Sequence, residues 1–167
     1  MPTATRRTVI SFGARSHSGR GFTLIELLVV VTIAAIFAAL AAPSFGSFIA
    51  GQRVKTASDD VWSMLTLARS EALKRNSSVT VTPAGGGWQN GWSVTSGTTT
   101  LFQHESFSGL TITGPATGLT FNSTGRLTTT VNPFALSSST YSNLAERCVR
   151  LDLSGLPVSR TITSGSC

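Results

Sequence analysis

One carboxylate stands inside an apolar run. In RGFTLIELLVV, residues 20–30, Glu26 is the sole charged side chain after Arg20, and from Leu27 to Ala42 the chain continues LLVVVTIAAIFAALAA. An acid among lipid-facing residues costs about 2.5–3.5 kcal/mol on insertion scales, so it marks a place where an opposite charge is expected. Two further sets have types suited to chemistry. Cys148 and Cys167, the only cysteines, have 18 residues between them. They close one loop in an oxidising compartment, or remain two thiols in a reducing one. Arg147, Arg150 and Arg160 are candidate phosphate contacts if they share one face.

Other chemistry is missing. There are two histidines, and His17 precedes the apolar run. No GxSxG, HExxH or paired CxxC occurs. Gly85-Gly86-Gly87 lacks the following Lys of a phosphate cradle and reads as a turn. Trp88 and Trp92 read as core or sheet-surface aromatics, and His104 with Glu105 as a solvated pair. The expectation is no catalytic residue, no metal ion and no cofactor.

The elements that must position Glu26 and the cysteines follow from charge and periodicity. Arg6, Arg7, Arg15 and Arg20 lie in the first 20 residues, which hold no acid. Removing them from 13 basic side chains leaves nine against seven acidic ones, so the net charge falls from +6 to +2. The high pI therefore belongs to a leader and argues little for nucleic acid. From Phe22 to Ala42 the chain has the ~20 residues a membrane-spanning helix needs. Thr32, its one polar interruption beyond Glu26, can return its hydroxyl to the helix backbone. Arginines before the run, and no charge after Glu26 until Arg53, place the leader in the cytoplasm and the rest across the membrane. In a bacterium that is the periplasm, where Cys148 and Cys167 pair. Three readings fit the run: a plain anchor; a secretory signal peptide cut after Ala39-Leu40-Ala41; or a processed assembly helix.

Pro43 removes a helix hydrogen bond and predicts a kink. Beyond it Val54, Ala57, Val61, Leu65, Ala68 and Ala72 recur at helical spacing, with Arg53, Lys55, Asp59, Asp60, Arg69 and Lys74 between them. That is an amphipathic helix, ending near Arg75-Asn76 with Asn76 as its cap. Short strands are expected at 78–82, 91–95, 110–113, 119–122 and 148–153, with turns at Asn90-Gly91 and Thr124-Gly125. The class is α+β, a long helix followed by a meandering, mainly antiparallel sheet.

GFTLIE, with its basic leader and the later Pro43, resembles the type IV prepilin motif. That resemblance implies cutting by prepilin peptidase between Gly21 and Phe22, methylation of the new amine at Phe22, and a subunit-assembly role for Glu26. Its partner would be the N-terminal amine of a neighbouring pilin or pseudopilin in a helical filament. LARSEALKRNSSVTV, GWQNGWSV, LTFNSTGRL and RCVRLDLSGLPVSR resemble the GspH/FimT family of minor pilins and minor pseudopilins. Together the resemblances imply a type IV pilin-like fold in four parts: leader peptide 1–21, transmembrane and assembly helix 22–42, amphipathic helix 43–76, and β-rich periplasmic domain 77–167. They imply an inner-membrane protein that becomes a minor subunit of a type IV pilus, or of a type II secretion pseudopilus. Some FimT-type pilins take up DNA through a Gly-Arg-x-Arg turn. Here the corresponding stretch is Ser154-Gly155-Leu156-Pro157, without the first arginine, which leaves Arg147, Arg150 and Arg160 for nucleic acid.

Overall fold

The computed structural model describes residues 21–162 and Cys167, with backbone alone for residues 41–44. The leader, with its four arginines and His17, lies outside the described residues. So do the side chains around the kink expected at Pro43. The chain divides into two units, Met1–Leu40 and Ala41–Cys167.

Helix α1 (Leu24–Arg75) contributes to both units. In the first unit every residue from Gly21 to Leu40 is exposed. Thr32 Oγ1 donates to the Val29 carbonyl at 2.8 Å, as its place in an apolar helix requires. Among the described residues no single helix is long and apolar enough to cross a membrane. Leu24–Leu40 and Phe45–Arg75 reach that length and composition only as a pair.

In the second unit α1 buries one stripe. Val54, Ala57, Val61, Leu65, Ala68 and Ala72, the six positions picked out by periodicity, are all at most 1% exposed. Ser58 and Met64 join them. The helix stops where the chain turns left-handed: Asn76 has φ 48°. The Ser77 N–H donates to the Ala72 carbonyl and the Asn76 N–H to Leu73. Those two bonds are a Schellman cap, satisfying carbonyls that the last turn leaves unpaired.

Eight strands follow: β1 (Val79–Pro83), β2 (Trp92–Ser96), β3 (Thr99–His104), β4 (Leu110–Thr113), β5 (Leu119–Phe121), β6 (Phe134–Ser138), β7 (Glu146–Leu151) and β8 (Pro157–Ile162). They form two four-stranded sheets rather than one meander, ordered β3-β2-β1-β5 and β4-β6-β7-β8, and every pair is antiparallel. The expected strands are all present, the one at 110–113 with both ends as expected and the others with ends shifted by at most two residues. β3, β6 and β8 were not expected. β3 and β8 are edge strands without apolar alternation, and β8 begins at Pro157, which a sheet tolerates at an edge. Buried residues from both sheets, among them Val81, Val94, Phe121, Phe134, Leu136 and Val149, meet the α1 stripe in one core.

Trp88 and Trp92 belong to this core. Trp88 lies edge-on to Phe134 at 4.7 Å between ring centroids and donates its indole N–H to the Pro115 carbonyl. His104 is not the solvated residue expected beside Glu105. Its ring is stacked between Trp92 and Phe107, 4.5 Å from each. Its Nδ1–H donates to the Glu105 carbonyl at 2.7 Å, and Nε2 faces Asp60 of α1 at 3.7 Å.

Candidate assembly segment and exposed surfaces

The segment Gly21–Glu26 is built as a helix start. Gly21, Phe22 and Thr23 precede α1 outside any helix or strand, and Phe22 is 78% exposed. Thr23 occupies the cap position, where its Oγ1 accepts the Glu26 backbone N–H at 3.2 Å. The first helical hydrogen bond follows, from Leu27 N–H to the Thr23 carbonyl. A Thr cap with Glu three residues later is the capping-box pattern, and a carboxylate there also meets the positive end of the helix dipole. Sequence reading passed over this signal, although Thr23-Leu24-Ile25-Glu26 carries it plainly. Glu26 is thus in the first turn of α1, exposed. Among the described residues it has no ion-pair partner.

The geometry of this segment permits two events. Gly21 and Phe22 are exposed, so the bond between them is open to a protease. Once cut there, the chain would begin at Phe22, one turn from an acid whose helix position already favours negative charge. In an apolar setting that carboxylate would call for a positive charge beside it.

At the other end of the sequence, Cys148 and Cys167 are joined as a disulfide, with Cα atoms 5.5 Å apart. Cys148 is fully buried in β7. Around it the β7–β8 register sorts the arginines. Cys148 pairs with Arg160, Arg150 with Val158, Val149 with Ser159 and Arg147 with Thr161. Side chains directly opposite one another on paired strands point the same way, and successive residues along a strand point apart. Ser159 reaches α1, its Oγ 3.0 Å from Ser58 Oγ, so Val149 and Arg147 lie on the helix side. Arg150 and Arg160 lie on the opposite side, with Cys148. The expected face of three arginines holds two.

The Ser154-Gly155-Leu156-Pro157 stretch is a tight turn. Asp152 Oδ1 accepts the Ser154 backbone N–H at 2.8 Å and the Ser154 hydroxyl, which hold the Asp152 carboxyl below the usual range. Gly155 has φ 77°, and any Cβ there would strike the Gly125 carbonyl. The turn is thus wedged against the Asn122–Arg126 turn, itself held by Arg69 Nε donating to the Gly125 carbonyl at 3.0 Å. Trp62 fastens the start of β8 by donating its indole N–H to the Pro157 carbonyl at 3.1 Å. No group of three or more acidic, His or Cys side chains able to hold a metal occurs among the described residues.

Comparison with known proteins bears on both ends of the chain. Residues 17–42 match the model of the prokaryotic N-terminal methylation motif. Residues 57–155, well over half the chain, match the model of the type II transport protein GspH. Two crystal forms of the type IV minor pilin FimU of Pseudomonas aeruginosa strain PAO1 share the fold. They are 23% and 22% identical, cover 65% and 64% of this chain and 89% and 91% of theirs, and have TM-scores of 0.58 and 0.56. The minor pseudopilin EpsH of the Vibrio cholerae type 2 secretion system is 16% identical over 66% of this chain and 96% of its own, with a TM-score of 0.48. No curated protein matches the sequence.

Proposed function

The chain belongs to the family of the type II transport protein GspH, and on that premise we propose that it is an inner-membrane precursor matured into a minor subunit of a type IV pilus. It is a minor pilin or minor pseudopilin, a structural subunit that assembles with other pilins or pseudopilins. The methylation motif belongs to a membrane-anchored subunit whose globular part is exposed. In the finer reading the N-terminus is cytoplasmic and a single pass carries residues 41–167 into the periplasm, where Cys148 and Cys167 are oxidised. Prepilin peptidase cuts between Gly21 and Phe22, and the amine of Phe22 is methylated.

The observation that carries this reading is the acid in the first turn of α1, at the head of the apolar stretch Leu24–Leu40 whose residues are all exposed. Inside a lipid bilayer an unpaired acid is costly, by about 2.5–3.5 kcal/mol at the middle of a span, and Glu26 bears part of that cost at its start. In a fibre the apolar side chains of the segment pack on those of other subunits, and the amine at Phe22 of a neighbour neutralises the carboxylate. Docking is thus driven by removal of an unpaired charge as well as by packing. Glu26→Gln in cells should leave cleavage at Gly21 intact and reduce incorporation into fibres at least tenfold, measured by immunoblot of sheared fibres. Equal incorporation of the variant would overturn the role. Mass spectrometry of the mature N-terminus separates this reading from a secreted protein: methyl-Phe22 supports it, a start at Ala42 rejects it.

A type II secretion pseudopilus is the second reading, favoured by the description of the matching family. Crosslinking to neighbouring subunits in cells distinguishes pilus from secretion partners. Nucleic-acid capture has weaker support, since the β7–β8 register leaves Arg150 and Arg160 together and Arg147 apart.

A further inference from the structure

Arg53 is exposed and has neither a hydrogen bond nor an ion pair among the described residues. It stands between two cavities of the second unit. One, of about 430 Å³, runs along α1 from Phe48 and Ile49 to Asp60 and is closed opposite by Ser106, Phe107 and Leu110. The other, of about 280 Å³, lies on the far side of Arg53, between Ile49 and the turn that carries Ser138, Thr140 and Tyr141. Asp60, the acid nearest in the first cavity, faces His104. The guanidinium of Arg53 is therefore left for a ligand.

The surroundings say which ligand. Phe45 and Phe48 are each 63% exposed and Ile49 is 47% exposed, on consecutive turns of α1 just before Arg53. Across from them are the Phe107 ring and Tyr141, whose hydroxyl lies against Gly46. Exposed apolar side chains, aromatic rings, hydroxyls and one free cation within two helical turns make up the composition of a membrane–water boundary. The patch holds few apolar side chains and a single unpaired charge. Chain connectivity keeps it near the bilayer however the two units are arranged. The five residues from Leu40 to Phe45 span at most about 18 Å, and the helix from Phe45 to Arg53 adds about 12 Å.

We propose that Arg53 and its two flanking cavities form a binding site for the headgroup of an anionic phospholipid. The guanidinium engages the phosphodiester, for which its planar donors are suited. Hydroxyls of Ser106, Thr140 and Tyr141 meet the glycerol, and Phe48 and Ile49 lie along the first methylenes of the acyl chains. The site would seat the globular unit on the membrane surface before it enters a fibre. It rests on the membrane-anchored reading given above.

Since the native cysteines are paired, Phe48→Cys in the full chain takes a single nitroxide label. The labelled chain is reconstituted into vesicles of phosphatidylglycerol or of phosphatidylcholine. The bound-to-free ratio of the two spectral components should be about fivefold higher in phosphatidylglycerol, the ~1 kcal/mol of one basic side chain at an anionic surface. Arg53→Gln should abolish the difference, and Arg126→Gln, an exposed arginine in the turn that Arg69 holds farther along α1, should preserve it. An equal ratio in both lipids, or equal loss in the two variants, overturns the site. So does a label immobilised only when other fibre subunits are added, which would make the patch a protein contact. A second label, at Ile33→Cys, reports the anchor separately. If it is buried in lipid while the label at 48 is indifferent to headgroup, the lipid site fails and the anchored reading stands. If it too is water-accessible, both fail.

Discussion

Helix α1 treats its apolar residues in two opposite ways. From Val54 to Ala72 it presents a narrow stripe of small and branched side chains, and two sheets cover that stripe almost completely. From Leu24 to Leu40 it is apolar all round apart from Glu26 and Thr32, and every residue of it is exposed. The contrast is one of periodicity. A stripe needs a single partner face, which the chain supplies from its own strands. A helix apolar on every side can be satisfied only by surroundings on every side, such as lipid or a ring of other helices. The C-terminal half of α1 thus serves the stability of one molecule, while the N-terminal half calls for surroundings beyond it.

The sharpest way to break this comparison is to cut one side chain from the core that covers the C-terminal half and one from the uncovered half. Phe134 is fully buried and meets Trp88 edge-on. Phe134→Ala should cost about 3–5 kcal/mol and lower the midpoint of thermal unfolding of the full chain in detergent by on the order of 10 °C. Ile33→Ala, on the uncovered half, should leave that midpoint unchanged while weakening recovery in fibres. Equal shifts for the two would mean that the uncovered half packs on its own protein after all.

Next in size is the covalent tie. The bridge between Cys148 and Cys167 closes a loop across β8, and its loss removes roughly 3 kcal/mol in the chain-entropy account. Cys167→Ser should lower the same midpoint, and a reductant should lower the wild-type midpoint to match. A wild-type midpoint unmoved by reductant, and equal to that of the variant, would show that β8 is held entirely by β7, Ser58 and Trp62.

How much of this was legible depended on where the physical signal is local. The α1 stripe was readable because 3.6-residue periodicity is a property of the sequence itself, and its end was readable because Asn tolerates a left-handed φ. Glu26 was conspicuous through its cost in an apolar run. The Thr23 cap carries a local signal as well, but was hidden behind the more conspicuous acid. The division into two sheets was not legible, because pairing partners such as Val79 and Phe121 lie far apart in sequence and nothing local distinguishes β5 joining β1 from β5 joining β4. β6 offered Phe134 and Leu136 in alternation, between Pro133 and a serine run that reads as loop. The arginine face failed for a related reason. Whether Arg147 and Arg160 point together depends on a register, and a shift of one residue reverses it.

A smaller effect tests the end of the covered half. Asn76→Ala places a Cβ-restricted residue at φ 48° and should cost about 1 kcal/mol, whereas Asn76→Gly should be neutral or slightly stabilising. If both variants lose the same amount, the cap depends on the Asn side chain rather than on backbone handedness.

The smallest expected effect is electrostatic and lies on the water-facing side of the same turn. Arg75 Nε donates to Glu71 Oε2 at 2.6 Å, and Lys74 stands 3.6 Å from Oε1. The Arg75 hydrogen bond, helped by the charges of both cations, holds the Glu71 carboxyl below its usual range. A carboxylate whose folded pKa is depressed contributes stability that is present above its unfolded pKa and lost as pH falls through the folded one. Glu71→Gln should therefore lower the unfolding midpoint slightly at pH 7, and the difference from wild type should vanish in acid below the folded pKa. Because the pair is open to solvent, added salt should shrink the same difference at pH 7. A deficit that persisted in acid or in high salt would locate the contribution of Glu71 in packing against Leu67 and β3, beside which it lines a small groove. The exposed face of the covered half would then be part of the fold rather than a solvated surface.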